Sequence, residues 1–451
     1  MNKNNPKSKV ILALISLVIT FFVWQQGLKD SLNRPSVSFD ISLKESEIAQ
    51  LAIPAIPENF KKFLITDNPL MDMKDILFNS QFSELSERNK LIWLTLKSKE
   101  DFIKDDYFQK FTLKEYRDIA EILRKYNSDN AFLPEPVLLK NIKNDQYLHY
   151  LLKEKFIIDN DSSSRLNIAK RMYIKLLIIK LLPLFTILAG SILVIKGFIQ
   201  TLISKKINWT AYEPLELNLL DMVLLIAGGF VVLGEVLSPL ISLTLVEYFS
   251  KDISPEINQS LKIFFGYLFM SLPPFAIIFY QIKSIKKEFI LGKDYLQFNF
   301  KPFVQTLSQG FKGWLMIIPF VLLISLLMSL LDIKEAGSNP LLEIVLNNNN
   351  YLAFFLLFIT TTILAPFFEE IVFRGVLLPV FAREFGILLG ILSSAFIFAL
   401  AHLSLSEFPP LFILGIGLGI TRLLSGRLAS SIFMHSLWNG LTFFNLFLLR
   451  T

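Results

Sequence analysis

An all-α fold is predicted: a polytopic helical membrane bundle of about nine or ten spans, with a helical extracytoplasmic domain inserted after the first span. Three observations lead there. Hydrophobic residues make up 53 % of the 451, with 43 phenylalanines and a mean hydropathy of +0.50, far more apolar than soluble globular chains. Several runs exceed the roughly 18 residues that mark a transmembrane helix. The charges are also segregated, since 46 of the 84 charged residues, 23 of each sign, fall between Lys29 and Arg171.

Residues 1–28 carry Lys3, Lys7 and Lys9 ahead of an apolar run from Val10 to Trp24. A small-x-small cleavage site is replaced by Trp24-Gln25-Gln26-Gly27-Leu28, so this segment reads as an uncleaved signal anchor with its basic end in the cytoplasm and Trp24 near the opposite interface. Residues 29–172 read as a water-exposed helical domain, with apolar positions spaced as in amphipathic helices, for example Tyr107, Phe108, Phe111, Leu113, Tyr116, Ile119 and Leu123. Pro54, Pro57, Pro134 and Pro136 divide it into short helices, and Asp159 to Ser164 reads as the linker back to the membrane. It shows no catalytic constellation; His149, between Tyr147 and Tyr150, reads as an ordinary surface or half-buried histidine.

Residues 173–340 hold accessory spans near Tyr173–Ile199, Leu219–Val246, Leu261–Tyr280 and Trp314–Leu331. Lys205, Lys206 and the loop of Lys283, Lys286, Lys287, Lys293 and Lys301 fall on the side of the basic N-terminus when the spans alternate, which is the positive-inside pattern. The expected placement is a multi-pass protein of the cell membrane, N-terminus cytoplasmic and residues 29–172 extracytoplasmic. The net charge of +6 then reflects loops that orient the chain, and no nucleic-acid role is assigned. With no cysteine, disulfides, Cys nucleophiles and thiolate metal sites are excluded.

The chemistry concentrates in residues 341–451. From Tyr351 to Phe381 the only charges are Glu369, Glu370 and Arg374. An ionised group at bilayer depth costs roughly 2.5–3.5 kcal/mol on insertion scales, so each needs a reason. On a helix Glu370 and Arg374 share a face at i, i+4 and can pair, whereas Glu369 points about 100° away and is left without that partner. Ion-pair bracing of a bundle is the bland explanation, and downstream residues weigh against it. His402 closes the run from Phe396 to Ala401, and His435 shares a helical face with Asn439. Taken singly, each histidine is an interfacial residue and the asparagine an interhelical hydrogen-bonder.

Spacing makes the set converge. The midpoint of Glu369 and His402 falls at Phe385 and Gly386, inside the polar break Arg383 to Gly386, so an antiparallel hairpin brings the two to equal depth. From His402 the chain crosses through Leu411 to Arg422, about 18 Å of helix, and returns from Leu428, which puts His435 roughly 10 Å back into the membrane. Gly415, Gly417 and Gly419 allow close approach of a neighbouring helix. Pro366 leaves two topologies: broken there, the stretch gives ten spans and a site open to the cytoplasm; unbroken, it gives nine. Two carboxylates, two imidazoles, an amide and a guanidinium are the components for activating water. A transporter would spread such charges over several spans.

Ala365 to Gly375, then Phe398-x-x-x-His402, then His435-x-x-x-Asn439, resembles in order and pattern the three signature motifs of the CPBP (Abi) intramembrane endopeptidases, which include CAAX prenyl endopeptidases and bacteriocin-processing proteases. The resemblance covers about the last hundred residues. It implies Glu369 as the base that activates water, Glu370 and Arg374 as the supporting pair, and His402, His435 and Asn439 as holders of water, metal or the tetrahedral intermediate. It also implies a divalent metal such as zinc, with His402, His435 and Glu370 as ligands, although a glutamate-driven reaction without tightly bound metal fits the same residues. The substrate expected is a peptide or membrane protein. The alternatives are a catalytically silent scaffold or immunity-type protein that binds a partner through the outer domain, or a transporter.

Overall fold

The computed structural model describes residues 6–34, 37–97, 107–108, 111–128, 145–156, 162–204, 209, 216–251, 253–285, 294–331, 340–347 and 350–450. Lys3, Pro134, Pro136, Asp159 to Asp161, Lys205, Lys206, Lys286, Lys287 and Lys293, which figure in the expectations above, lie outside the described residues. Every regular element among the described residues is a helix. The chain divides into two compact units, Met1–Val37 with Leu184–Phe447, and Ser38–Pro183 with Leu448–Thr451.

The second unit contains the charge-rich segment. Its helices include Ser38–Ala52, Glu58–Leu64, Pro69–Phe78, Glu87–Leu96, Lys114–Ser128 and Gln146–Lys155. Polar caps start three of them: Asn68 accepts from the Met71 N–H, Ser86 from Asn89 and Asp145 from Leu148. Pro54 lies in the short turn Ile53–Ala55 and Pro57 precedes the next helix, so both act as breaks. The amphipathic pattern around Tyr107 to Leu123 is only partly one helix: the helix starts at Lys114, Leu113 is exposed, and Phe108, Phe111, Ile119 and Leu123 are buried.

This unit's apolar core, including Leu43, Met73, Leu77, Leu91 and Leu152, surrounds a buried charge cluster. Arg88 donates to both oxygens of Glu47 at 2.6 and 2.8 Å and to Asp145 at 2.5 and 3.0 Å. Lys44 adds a contact of 3.3 Å to Glu47, a residue with no solvent exposure. Burial works against the Arg88 charge, yet the two facing carboxylates hold its guanidinium well above its usual range. The bidentate fork thus ties the first, fourth and last of these longer helices together. Arg88→Met leaves two carboxylates around one lysine and is expected to destabilise this unit by about 3–5 kcal/mol, read as accelerated amide exchange of Leu43, Leu91 and Tyr147 in the full chain.

In the first unit, seven helices including Ser164–Ser204, which crosses the boundary between units, are long and apolar enough to span a membrane: Lys7–Ser31, Ser164–Ser204, Leu219–Phe249, Pro255–Ile285, Phe303–Leu330, Tyr351–Phe385 and Phe408–Ser425. Ile387–Leu400 is shorter at 14 residues, and Leu428–Leu448 has 21. The chain is therefore a multi-pass membrane protein of helices. Trp24, expected at an interface, instead donates through Nε1 to Glu235 Oε2 of Leu219–Phe249 at 3.4 Å.

Helix Tyr351–Phe385 organises the site. Asn350 starts it, its Oδ1 accepting from the Leu352 and Ala353 N–H groups at 2.9 and 3.2 Å. Pro366 does not break it. The turn before, Thr360–Leu364, is wound in the wider π form, which relieves the crowding of a proline ring against the preceding turn. The break there that would make two crossing segments is not seen; Tyr351–Phe385 is one helix. The helix ends at Gly386, whose φ of +86° is open to glycine, and Ile387–Leu400 folds back against it. Ser394 Oγ donates to the Phe373 carbonyl at 3.0 Å, fixing the antiparallel hairpin expected from the spacing. The small residues of Phe408–Ser425 serve two neighbours: a Cβ on Gly415 would stand 2.9 Å from that of Ala395, and one on Gly417 would stand 2.7 Å from Ile317.

Candidate active site

Glu369 and Glu370 sit on one α-helical turn, Ala365–Glu370, and Arg374 on the π-wound stretch Ile371–Leu377 that follows. Such local widenings recur where a helix must re-aim side chains. Arg374 and Glu370 have no solvent exposure, and Arg374 Nη1 donates to Glu370 Oε1 at 3.0 Å. Nη2 donates to the Gly415 carbonyl at 3.2 Å, and the guanidinium carbon stands 4.1 Å from the Phe398 ring centre. Lacking a Cβ, Gly415 admits that approach on the crowded side of its helix. A desolvated guanidinium is thereby held by an anion, a carbonyl and an aromatic face.

His435 joins from Leu428–Leu448. Its Nδ1 lies 3.0 Å from the same Glu370 Oε1 that receives Arg374. A carboxylate oxygen accepts only, so Nδ1 carries the proton and Nε2 turns toward Glu369, 3.9 Å from its Oε2. The neighbouring carboxylates thus differ sharply in environment. Each has an Oε2 with no hydrogen-bond partner among the described residues, but Glu370 Oε1 receives two charged or imidazole donors in a fully buried position, whereas Glu369 lines a cavity.

Glu369 is not, however, the partnerless carboxylate that its helix position implies. Tyr267, on Pro255–Ile285, donates its hydroxyl to Glu369 Oε1 at 3.3 Å. An earlier span thus contributes to the site. Nothing in the sequence singles out Tyr267, an aromatic residue within an aromatic-rich span; only an oxygen in that position distinguishes it from the phenylalanines around it.

The remaining predicted residues line one cavity of about 310 Å³ together with Glu369, His435 and Tyr267. His402 follows the end of Ile387–Leu400, and its Nδ1 pairs with the Phe398 carbonyl at 2.8 Å, which fixes the proton there and leaves Nε2 as the unengaged ring nitrogen. Its ring and that of His435 both pack on Phe398, with centres 4.8 and 5.6 Å away. Asn439 donates one amide hydrogen to the Thr361 carbonyl at 2.9 Å, bracing Leu428–Leu448 against the glutamate helix. A second amide hydrogen remains. The rest of the wall is largely apolar, from Leu341, Val345, Leu411, Leu414 and Phe443 among others.

As a ligand set for zinc, His402, His435 and Glu370 do not fit this arrangement. No cluster of three or more His, Asp or Glu side chains at metal-binding spacing exists among the described residues. Glu370 Oε1 is taken by a guanidinium and by His435 Nδ1, and a cation beside Arg374 would meet repulsion.

Fold and site together define a class: a multi-pass helical membrane protein with a carboxylate and imidazole cluster sunk in its bundle. Residues 351–441 match the family described as type II CAAX prenyl endopeptidase Rce1-like. The match contains Glu369, Glu370, Arg374, His402, His435 and Asn439 and excludes Tyr267. Residues 38–174 match a domain of unknown function, DUF8675. No curated protein and no solved structure matches the chain.

Arg374→Leu strands Glu370 without its cation and is expected to cost about 3–5 kcal/mol, lowering the melting temperature of the detergent-solubilised protein, whereas Glu370→Gln with Arg374→Leu together recover part of it.

Proposed function

We propose that this protein is an intramembrane endopeptidase in which Glu369 activates water to hydrolyse a peptide bond of a peptide or membrane-protein substrate. The observation that carries the reading is the division of labour between adjacent carboxylates: Glu370, fully buried, has its Oε1 engaged by both Arg374 and His435, while Glu369 lines the cavity with its Oε2 unmatched among the described residues. A water there donates one hydrogen to Oε2 and stands within reach of His435 Nε2. Glu369 takes the proton as general base, and the oxygen adds to the carbonyl carbon. The oxyanion that forms finds a donor in the second amide hydrogen of Asn439. The proton then passes from Glu369 to the departing amine, which restores the carboxylate.

Glu370 holds His435 in one tautomer, and Arg374 holds Glu370. Tyr267 fixes the carboxylate plane of Glu369 so that Oε2, not Oε1, faces the water. His402 Nε2 is placed to accept from water or from the substrate amide. No step is routed through a metal. The family match supports proteolysis, and the apolar walls favour a substrate segment that is itself apolar.

Glu369→Gln keeps the side chain's shape and is expected to leave the protein folded and inserted while reducing cleavage by at least ~100-fold, the usual worth of a general base. Proteins that accumulate in membranes of cells carrying this variant identify the substrate; full cleavage by it refutes the assignment. Tyr267→Phe removes a hydrogen bond to a charged group worth about 1.5–3 kcal/mol, so turnover is expected to fall roughly 10- to 100-fold with KM little changed. Incubation with a chelator is expected to leave turnover intact; loss reversed by added zinc would require a metal in the scheme.

A further inference from the structure

A second, large cavity of the membrane unit lies apart from the candidate protease site. It has a volume of about 980 Å³ and is bounded by Lys7–Ser31, Leu219–Phe249 and Pro255–Ile285. Its polar and apolar parts are sorted. Lys9, Glu216, Asp221 and Gln281 line one end, where the first two helices begin and the third finishes, and Ser16, Gly228, Val232 and Pro273 line the other. From Lys9 to Ser16 and from Gln281 to Pro273 the wall is about 10–12 Å deep at 1.5 Å per residue. That is a little under half of the ~30 Å hydrocarbon thickness, the reach of a single leaflet. The floor is closed where Gly228 meets Ser16, a Cβ on the glycine falling 3.4 Å from the serine hydroxyl.

The polar end carries both signs of charge. Lys9 Nζ pairs with Asp221 Oδ1, and Asp221 Oδ2 accepts from the Asn218 N–H at 3.0 Å, so this carboxylate is engaged on both oxygens. An ammonium has three hydrogens, and Lys9 spends one here. Its side chain is one third exposed, and Glu216 stands exposed at the same mouth. Gln281 donates to the Asp221 carbonyl at 3.0 Å, and its Oε1 has no partner among the described residues. A cation that can donate and an acid that can accept therefore flank the entrance of a trough one leaflet deep.

We propose that this cavity binds a phospholipid whose head group carries a phosphate and a hydrogen-bonding ammonium, a phosphatidylethanolamine. The phosphate accepts from Lys9, the primary ammonium donates to Glu216, and one acyl chain occupies the trough. Phosphatidylcholine presents no N–H, and its quaternary ammonium is recognised by aromatic cages, whereas Tyr280 is the one aromatic residue of this wall. Phosphatidylglycerol offers no cation to Glu216. The site is independent of Glu369 and its chemistry.

The test is native mass spectrometry of the detergent-solubilised full chain with equimolar phosphatidylethanolamine, phosphatidylcholine and phosphatidylglycerol of identical acyl chains. The expected result is an ethanolamine-lipid adduct at least tenfold more abundant than either other. Stepwise N-methylation of the head group lowers it progressively on the unmodified protein, which removes any question of misfolding. Glu216→Gln and Lys9→Gln each lower the adduct about tenfold toward the phosphatidylcholine level. Equal retention of the three lipids, indifference to N-methylation, or an adduct unchanged in both variants overturns the proposal and leaves an annular lipid without head-group recognition.

Discussion

Burying Arg374 is the constraint around which the membrane unit is arranged. A guanidinium without solvent exposure needs an anion and further acceptors, and each one it finds comes from a different helix or dictates its neighbour's sequence. Glu370 lies one turn back on the same helix, the carbonyl of Gly415 accepts from the guanidinium on a helix whose glycine lets Ala395 and Phe398 pack close, and Phe398 offers a ring face from the hairpin partner. Once Glu370 is committed, His435 can lean on the same oxygen, and the tautomer of that histidine is settled. A charge that looks costly at bilayer depth thus sets the relative rotation of four helices.

Glu369 occupies the opposite situation. Neighbouring carboxylates of one chemical type acquire different tasks when their surroundings differ, the general logic by which one fold supplies both a structural anion and a base. The turn Ala365–Glu370 points them about 100° apart, so the protein can tie one to Arg374 and His435 and leave the other toward a cavity. Tyr267 then takes a single oxygen of Glu369 and leaves its mate. Half-satisfaction of this kind is expensive in stability and useful in chemistry, since a carboxylate held by few donors is the better base.

Much of this was legible in the sequence because intramembrane charge is rare and helices have a fixed rise. Glu370 with Arg374, and His435 with Asn439, follow from a four-residue spacing; the meeting of Glu369 and His402 follows from a hairpin whose turn is marked by Gly386. The spans near 173–199, 219–246 and 261–280 fall inside longer helices, Ser164–Ser204, Leu219–Phe249 and Pro255–Ile285, and that near 314–331 overlaps Phe303–Leu330 up to its last residue, because amphipathic ends continue past the hydropathic core. Tyr267 and the pair of Lys9 with Asp221 were not legible. They join residues 102 and 212 positions apart, and no periodicity in one helix reports what another places against it. Nor does spacing say which atoms are already spent: Glu370 Oε1, in the metal set drawn from the resemblance, is engaged by Arg374 and His435.

The position of Tyr267 bears on how the two halves of the membrane unit depend on each other. The family match begins at residue 351, so everything that recognises Glu369 within it lies on the last four helices. One of its two carboxylate oxygens is nevertheless held from Pro255–Ile285, a helix outside that region. The same helix presents Phe275 edge-on to Phe368, the residue before Glu369, at 5.4 Å, and its far end forms a wall of the large cavity. A shift of this helix by even an ångström would therefore move the phenol off Glu369 and reshape the trough together. The accessory spans are thus better regarded as part of the apparatus that aims Glu369 than as an anchor for it.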